Sequence, residues 1–192
     1  MRYFPNMSRF TRILKCAVAA LVASLGFLTP AFADEAELEA LFEGLRGQDP
    51  AAAQQIESRI YDIWSQSGSP AMDLLLDRGR TALTEGDVKL AVEHFTALID
   101  HAPEFAEGYN ARATAFFQSG QYGLSLADIR RTLAMNPRHF GAMSGLALIL
   151  EEIGRPEDAL AAWREVERIN PHREGLKDAV QRLERQVEGA KL

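Results

Sequence analysis

A period of 34 residues is the feature of this sequence that most constrains its fold. Glycine recurs at that interval at Gly86, Gly120 and Gly154, and proline recurs at Pro103, Pro137 and Pro171. A fixed period of this length is typical of arrays of stacked units, in which each unit buries its apolar face only against its neighbours. The chain has 192 residues, which is enough for a few such units and short flanking segments.

Each period predicts two helices joined by a tight turn. The glycine suits a sharp reversal with positive φ, and the proline stops the second helix. We place three units at residues 72–105, 106–139 and 140–173, within a repeat region of residues 70–173. Small residues recur where the paired helices must approach closely: Gly79, Ala113 and Ala147 on the first helices, and Ala91, Ser125 and Ala159 on the second. The predicted fold class is therefore all-α.

This helix–turn–helix pattern of 34 residues, with its small residues and terminal proline, resembles the tetratricopeptide repeat (TPR). The resemblance implies a solenoid whose first helices line a concave face that binds peptide or protein partners. The whole chain also resembles small secreted repeat proteins of Gram-negative bacteria. By this resemblance the partner-binding residues are Leu76, Arg80, Leu83, Glu107, Asn110, Thr114, Phe117, Ser144 and Leu148, with Asp73, Gly141 and Glu151 at the remaining groove positions.

The groove positions predict an apolar strip edged by polar groups, a surface that a partner segment would bury. They do not predict one known activity of the family, the clamping of the C-terminal carboxylate of heat-shock chaperones. By resemblance, that activity needs an asparagine at the sixth position of the middle unit, where this chain has Ala111 and the asparagine falls one place earlier. The third unit offers Ser144 and Leu148 where cations are needed.

Residues 1–33 have the pattern of a cleavable signal peptide. A basic opening without acidic residues precedes an apolar run over residues 16–28, which is too short to span a bilayer comfortably. Ala31 and Ala33 then supply the small residues of a cleavage site, so we expect cleavage after Ala33 and a periplasmic protein without stable membrane insertion. The alternative is an uncleaved membrane anchor. Cys16, the only cysteine, stands at the start of the apolar run, which argues against lipid attachment.

Two helical segments flank the repeats. Residues 34–69 predict an N-terminal hairpin that looks like a degenerate TPR unit, whose second helix has Ile56, Ile60, Ile63 and Trp64 on its apolar face. Residues 174–192 predict a capping helix, whose seam is Leu176, Val180, Leu183 and Val187. The same seam leaves a coiled-coil homodimer as an alternative. Either flank could also fold across the concave face, so the sequence leaves open whether the groove is free or filled.

No catalytic, metal or cofactor site is predicted. His94, His101, His139 and His172 are expected to be surface or turn residues, and Trp64 and Trp163 are expected to pack in the core. The net charge is −6, and it becomes −10 without the four basic residues of the signal segment. Such an acidic chain repels phosphate backbones and anionic lipids, so nucleic acid is not an expected partner.

These observations predict a non-enzymatic periplasmic adaptor that binds a peptide or protein on its concave face. The alternative is a structural envelope protein that forms homo-oligomers through the seam of the C-terminal helix, and the third possibility is an enzyme of unrecognised type. The identity of the partner, the process served and the oligomeric state are not encoded in any motif of the sequence.

Overall fold

The computed structural model describes residues 29–47 and 49–189, with side chains from residue 35 onward. Most of the predicted signal segment, residues 1–28, and the side chains of its cleavage site lie outside the described residues. Helices and short turns account for the described part, which contains no strand, so the predicted all-α class is confirmed. The helices are α1 Thr29–Leu45, α2 Pro50–Trp64, α3 Pro70–Thr84, α4 Val88–His101, α5 Ala106–Gln118, α6 Tyr122–Met135, α7 Phe140–Glu152, α8 Pro156–Ile169 and α9 Leu176–Gly189.

The chain divides into two compact units after Ala40. Of the first unit the structure describes only the part of α1 that precedes residue 41. The second unit contains the end of α1 and all the helices from α2 to α9. Among the described residues, no helix combines the length and the apolar character needed to cross a membrane.

Helices α3 to α8 form three antiparallel hairpins, and each reverses at a glycine of the 34-residue series. Gly86, Gly120 and Gly154 have φ values of 83°, 72° and 72°, as the turn pattern predicts. The residue after each glycine donates its backbone N–H to the carbonyl five residues earlier, and all three distances are 2.8 Å. This is the Schellman arrangement, which pairs backbone groups at the end of the first helix and requires the left-handed conformation at the glycine.

Close approach between the paired helices explains the series of small residues. In the first hairpin, a Cβ added to Gly79 would lie 2.3 Å from Cε1 of Phe95, whose side chain is fully buried. In the second hairpin, the hydroxyl of Ser125 donates to the backbone carbonyl of Ala113 at 2.7 Å. In both hairpins the two helices therefore approach closely at the small residue, and large apolar side chains fill the space around that contact.

A partly buried ion pair joins the two helices of the middle hairpin. Arg112 donates from Nε and Nη2 to the carboxylate of Asp128 at 2.7 and 2.9 Å, and from Nη1 to Thr96 on α4 at 3.2 Å. The hydrogen bond with Asp128 raises the pKa of Arg112 above its ordinary value. Because Thr96 belongs to the preceding hairpin, the same guanidinium also links the first hairpin to the second.

Helix α9 covers the outer face of α8. Its predicted seam of Leu176, Val180, Leu183 and Val187 is buried, with each side chain at most 8% exposed. Arg164 of α8 pairs with Glu184 of α9, and Arg182 of α9 pairs with Glu151 of α7. The seam is therefore occupied within the chain, as the capping interpretation expects.

The contact at Gly79 predicts how an added methyl group affects stability. Gly79→Ala should lower the free energy of unfolding by about 1–3 kcal/mol, because the new Cβ must displace the buried ring of Phe95. In Gly123→Ala, a matched control on α6, the added Cβ meets nothing within 4 Å. The control should be neutral or stabilising by up to about 1 kcal/mol, because alanine favours helix more than glycine does. Denaturant unfolding of both variants is the measurement, and equal effects would contradict the close approach.

Candidate binding groove

The first helices of the hairpins form the floor of the candidate groove. Helix α5 packs beside both α3 and α7. Three pockets of about 110, 160 and 370 Å³ follow this floor from α3 to α9. The first and second pockets share Asn110 and Thr114, and the second and third share Ser144, Leu148 and Arg173. The pockets therefore form one continuous depression.

Predicted groove residues fall into two classes in the structure. The predicted partner-binding residues that line the depression and remain partly or fully exposed are Arg80, Leu83, Asn110, Thr114, Phe117 and Leu148. Because Arg80 is engaged in an ion pair with Glu107, we name the other five the open strip. By contrast, Leu76, Glu107 and Ser144 are buried, at 2%, 4% and 4% exposed. Leu76 packs in the cluster around Phe95, so its side chain belongs to the core. The prediction that these three residues contact a partner does not fit this conformation.

Helix α2 covers the part of the floor where α7 begins. The indole of Trp64 stacks on the imidazole of His139, with ring centres 4.3 Å apart and planes inclined by 22°. Tyr61 meets Phe140 edge to face at 5.3 Å, and Trp64 contacts the same phenyl ring at 5.1 Å. Aromatic pairs at these distances contribute stabilisation in addition to that expected from the apolar area that they bury.

Polar contacts hold α2 at its middle and just beyond its C-terminal end. At the middle, Glu57 pairs with Arg173 and accepts a hydrogen bond from Asn170 Nδ2 at 2.5 Å. Just beyond the C-terminal end, Ser65 Oγ accepts a hydrogen bond from Arg80 Nη1 at 3.0 Å. The helix thus reaches from the end of the third hairpin back to the first.

This placement corrects the interpretation of residues 34–69 as a degenerate repeat. A further unit at the start of the stack would pack on α3, whereas α2 reaches α7 and the residues that follow α8. The apolar stripe of α2 was predicted from the sequence, but Glu57 and Tyr61 were missed as contact residues. The signal that could have found them is spacing: with Trp64 they lie at positions i, i+4 and i+7, which form one helical face.

A buried polar network lies beneath α2 and centres on His139. Its Nδ1 accepts the backbone N–H of Ala142 at 3.1 Å, which caps the start of α7. The neutral ring therefore carries its proton on Nε2 and donates it to Glu107 Oε2, 2.9 Å away. Asn110 donates to the same carboxylate oxygen, and Arg80 donates to the other at 2.5 Å.

The sequence predicted that His139 would be a surface or turn residue, and the prediction of surface exposure is wrong. The residue does begin a helix after a turn, but its side chain is completely buried. Its capping bond and its bond to Glu107 give both ring nitrogens a partner, which makes that burial possible. Trp163, expected in the core, is 5% exposed and donates from its indole N–H to Glu151 at 2.8 Å.

Within the part of the chain that the structure describes, no group of three or more histidine, cysteine, aspartate or glutamate side chains is arranged to hold a metal ion. The arrangement that the floor does offer is a partly apolar depression with fixed hydrogen-bonding groups at its edge. Such a surface suits recognition of a polypeptide segment.

Comparisons with known proteins point to one repeat family. The family profile of the tetratricopeptide repeat matches residues 76–127 and 110–174. A TPR repeat-containing protein of Rhizobium etli is 35% identical over 153 residues, which cover 79% of this chain and 75% of that protein. The crystal structure of the Sgt2 TPR domain from Aspergillus fumigatus is similar with a TM-score of 0.60 and 22% identity, covering 64% of this chain and 83% of that one. The first TPR of Spaghetti, bound to an HSP90 peptide, has a TM-score of 0.58 and 17% identity over 61% of this chain and 93% of that one.

The docked position of Tyr61 predicts a pH effect on stability. Burial raises the pKa of Tyr61 to about 12, against the opposing effect of the nearby Arg173. The folded state therefore keeps a proton that the unfolded state releases near its ordinary pKa of 10.0, so stability should fall as pH rises from there towards 12. Tyr61→Phe should remove this part of the decline, and Tyr122→Phe, the matched control, should retain it. Denaturant unfolding across that pH range is the measurement; parallel curves for wild type and Tyr61→Phe would show that the phenol is not buried.

Proposed function

Because the chain belongs to the tetratricopeptide-repeat family, we propose that it is a non-enzymatic interaction module that binds a peptide or protein segment along the open strip. The observation that carries this proposal is the continuity of the depression from α3 to α9, with three apolar side chains of the strip along it. The HSP90 peptide in the complex with the first TPR of Spaghetti supports a peptide as the class of partner.

The open strip favours a partner segment with apolar side chains. Leu83, Phe117 and Leu148 are the apolar members, and Leu148 is 40% exposed. Burying an apolar side chain of this size contributes about 1.5–3 kcal/mol. The entropy lost on association offsets a large part of the total contribution of the three side chains. We therefore expect a dissociation constant on the order of micromolar.

The charged groups beside the strip do not favour a C-terminal carboxylate as the main anchor. Arg80 already pairs with Glu107, and Arg173 already pairs with Glu57. Binding a carboxylate at either guanidinium would require breaking an internal ion pair. The proposed specificity is therefore for an internal apolar segment, in line with the expectation from Ala111 and Asn110.

The alternative function, homo-oligomerisation through the seam of α9, has less support. It requires Leu176, Val180, Leu183 and Val187 on the surface, and these side chains are buried against α8. A second copy would have to displace α8 from that seam. We therefore keep the binding module as the proposed function.

We propose further that the protein acts in the periplasm as an adaptor of the cell envelope. The support for this location is the basic opening, the apolar run and the small residues Ala31 and Ala33 in the sequence.

The open strip predicts the effect of a double charge substitution on partner capture. Leu83→Glu/Phe117→Glu should lose the partner that wild type retains from periplasmic extract, because two carboxylates would replace apolar contacts. The matched control is Leu90→Glu/Leu124→Glu, which changes two leucines that are 39% and 50% exposed on α4 and α6. Capture should survive in this control. Circular dichroism should first show that both variants are folded. Unchanged capture by a folded Leu83→Glu/Phe117→Glu variant would then contradict the assignment of the open strip as the binding surface.

The proposed location predicts the N-terminus of the exported protein. In a Gram-negative host, the periplasmic fraction should contain a chain that begins at Asp34. Replacing Ala31 and Ala33 with leucine should block cleavage, because signal peptidase sites require small residues there. Mass spectrometry of the intact protein is the measurement. A periplasmic chain that retains residues 1–33 would instead support the membrane-anchor alternative.

A further inference from the structure

We propose that α2 is a displaceable internal ligand of the repeat array. The surface beneath it, formed by His139, Phe140, Gly141, Asn170 and Arg173, is here called the covered site. In this proposal the covered site is a docking site for an amphipathic helix of a partner protein. That helix carries an acidic side chain and two aromatic side chains with the spacing of Glu57, Tyr61 and Trp64. The inference goes beyond the proposed function, whose binding residues belong to the open strip.

One end of the covered site recognises a carboxylate. Arg173 donates from Nε to Ser144 at 2.9 Å, which orients the guanidinium, and from Nη1 to Glu57. Asn170 donates to the other oxygen of the same carboxylate. Both members of the ion pair retain about a fifth of their side-chain exposure, at 22% for Arg173 and 23% for Glu57. The site therefore has the charge complementarity to select an acidic residue without sealing it from water.

The other end of the covered site is shaped for aromatic rings. His139 offers a flat face to the indole of Trp64, and Phe140 meets both aromatic rings of α2. Gly141 makes room for the phenol, since a Cβ at that position would lie 2.3 Å from Tyr61 Oη. Any larger residue there would close the site to a tyrosine. The three anchors lie on one face of a helix, at i, i+4 and i+7, so a partner helix can present the same set.

Several features make α2 separable from the array. The helices of the hairpins pack closely along their backbones, whereas α2 meets the array mainly through the ends of long side chains. The apolar clusters around Phe95 and Ile129 are built from residues of α3 to α7. Asn170 Oδ1 is buried without a donor among the described groups while α2 is in place, and a buried acceptor without a partner is destabilising. These two apolar clusters can therefore persist when α2 leaves.

The consequence is competition between α2 and a partner helix. Because residues 65–69 join α2 directly to the first hairpin, its effective concentration at the covered site is high. A linked segment of this kind outcompetes a free peptide present at micromolar concentration. The covered site thus accepts only a partner that binds more tightly than α2 or that first engages the neighbouring open strip.

The test uses the full chain and a fluorescently labelled synthetic peptide of residues 50–66 as the probe. Tyr61→Ala/Trp64→Ala, the released variant, removes the aromatic anchors of α2. We expect the probe to bind this variant at least about tenfold more tightly than wild type, because the internal competitor is weakened. Equal binding to both proteins, or no binding to a folded released variant, would overturn the proposal.

Charge exchange tests the orientation of the probe in the covered site. Adding Arg173→Glu to the released variant should abolish binding of the probe, and a peptide with Glu57→Arg should restore it. The matched control adds Arg130→Glu, an exposed arginine on α6, and should leave binding unchanged. Loss of binding in the Arg130→Glu control as well, or no recovery with the exchanged peptide, would show that the peptide does not occupy the covered site.

Hydrogen exchange on wild type keeps the proposal testable if the released variant does not fold. Amides of α2 should exchange at least about tenfold faster than those of α5 to α8, because α2 opens without the array. Equal protection would mean that α2 is a permanent part of the fold. A stable wild-type dimer that exchanges α2 between copies would also overturn the assignment to an internal ligand. None of these measurements changes a residue of the open strip. A result that overturns the role of α2 therefore does not contradict the proposed function, which the capture experiment tests separately.

Discussion

The array depends on how closely the two helices of each hairpin approach one another. At Gly79 there is no room for even a Cβ beside the ring of Phe95, and the middle hairpin adds the ion pair of Arg112 and Asp128 to a similar approach. The glycine turn sets this approach, because its left-handed conformation pairs the last carbonyls of the first helix while the chain reverses. Once the hairpins are built in this way, stacking them brings the first helices side by side. The floor of the groove therefore results from the packing of the first helices against the second helices, which lie on the side away from the groove.

His139 connects that architecture to the groove. One ring nitrogen caps α7, the other binds Glu107 on α5, and the face of the ring supports Trp64 of α2. A single buried side chain thus helps to begin one repeat helix, links it to the neighbouring unit and forms part of the surface on which α2 lies. Burial of such a polar group is tolerated because both of its nitrogens are bonded. His139 is therefore one of the residues that hold α2 over part of the groove.

Much of the fold was predictable from the sequence, whereas the state of the groove was not. The period of 34 residues, the turn glycines and the stop prolines predict helical hairpins whose reversals match the structure. The apolar seam of the last helix likewise predicts a helix that covers the end of the array. The candidate site was predicted only in part, because a groove position in the repeat pattern does not reveal whether its side chain faces solvent. Leu76, Glu107 and Ser144 occupy groove positions and are nevertheless buried. The role of α2 was missed because its contacts join residues about a hundred positions apart, as between Glu57 and Arg173.

The sequence by itself determined the local and periodic features of this protein. A glycine that reverses the chain, a proline that stops a helix and a small residue at a close contact each act through neighbours a few residues away or through the next repeat, so a repeating sequence encodes them repeatedly. Only the tertiary structure decided which surface of the array remains open. That outcome depends on a single long-range event, the docking of α2, whose free energy is the difference between aromatic and ionic contacts on one side and the cost of ordering the segment on the other. No periodicity encodes such a difference, because the contacts between α2 and the array are made once in the chain.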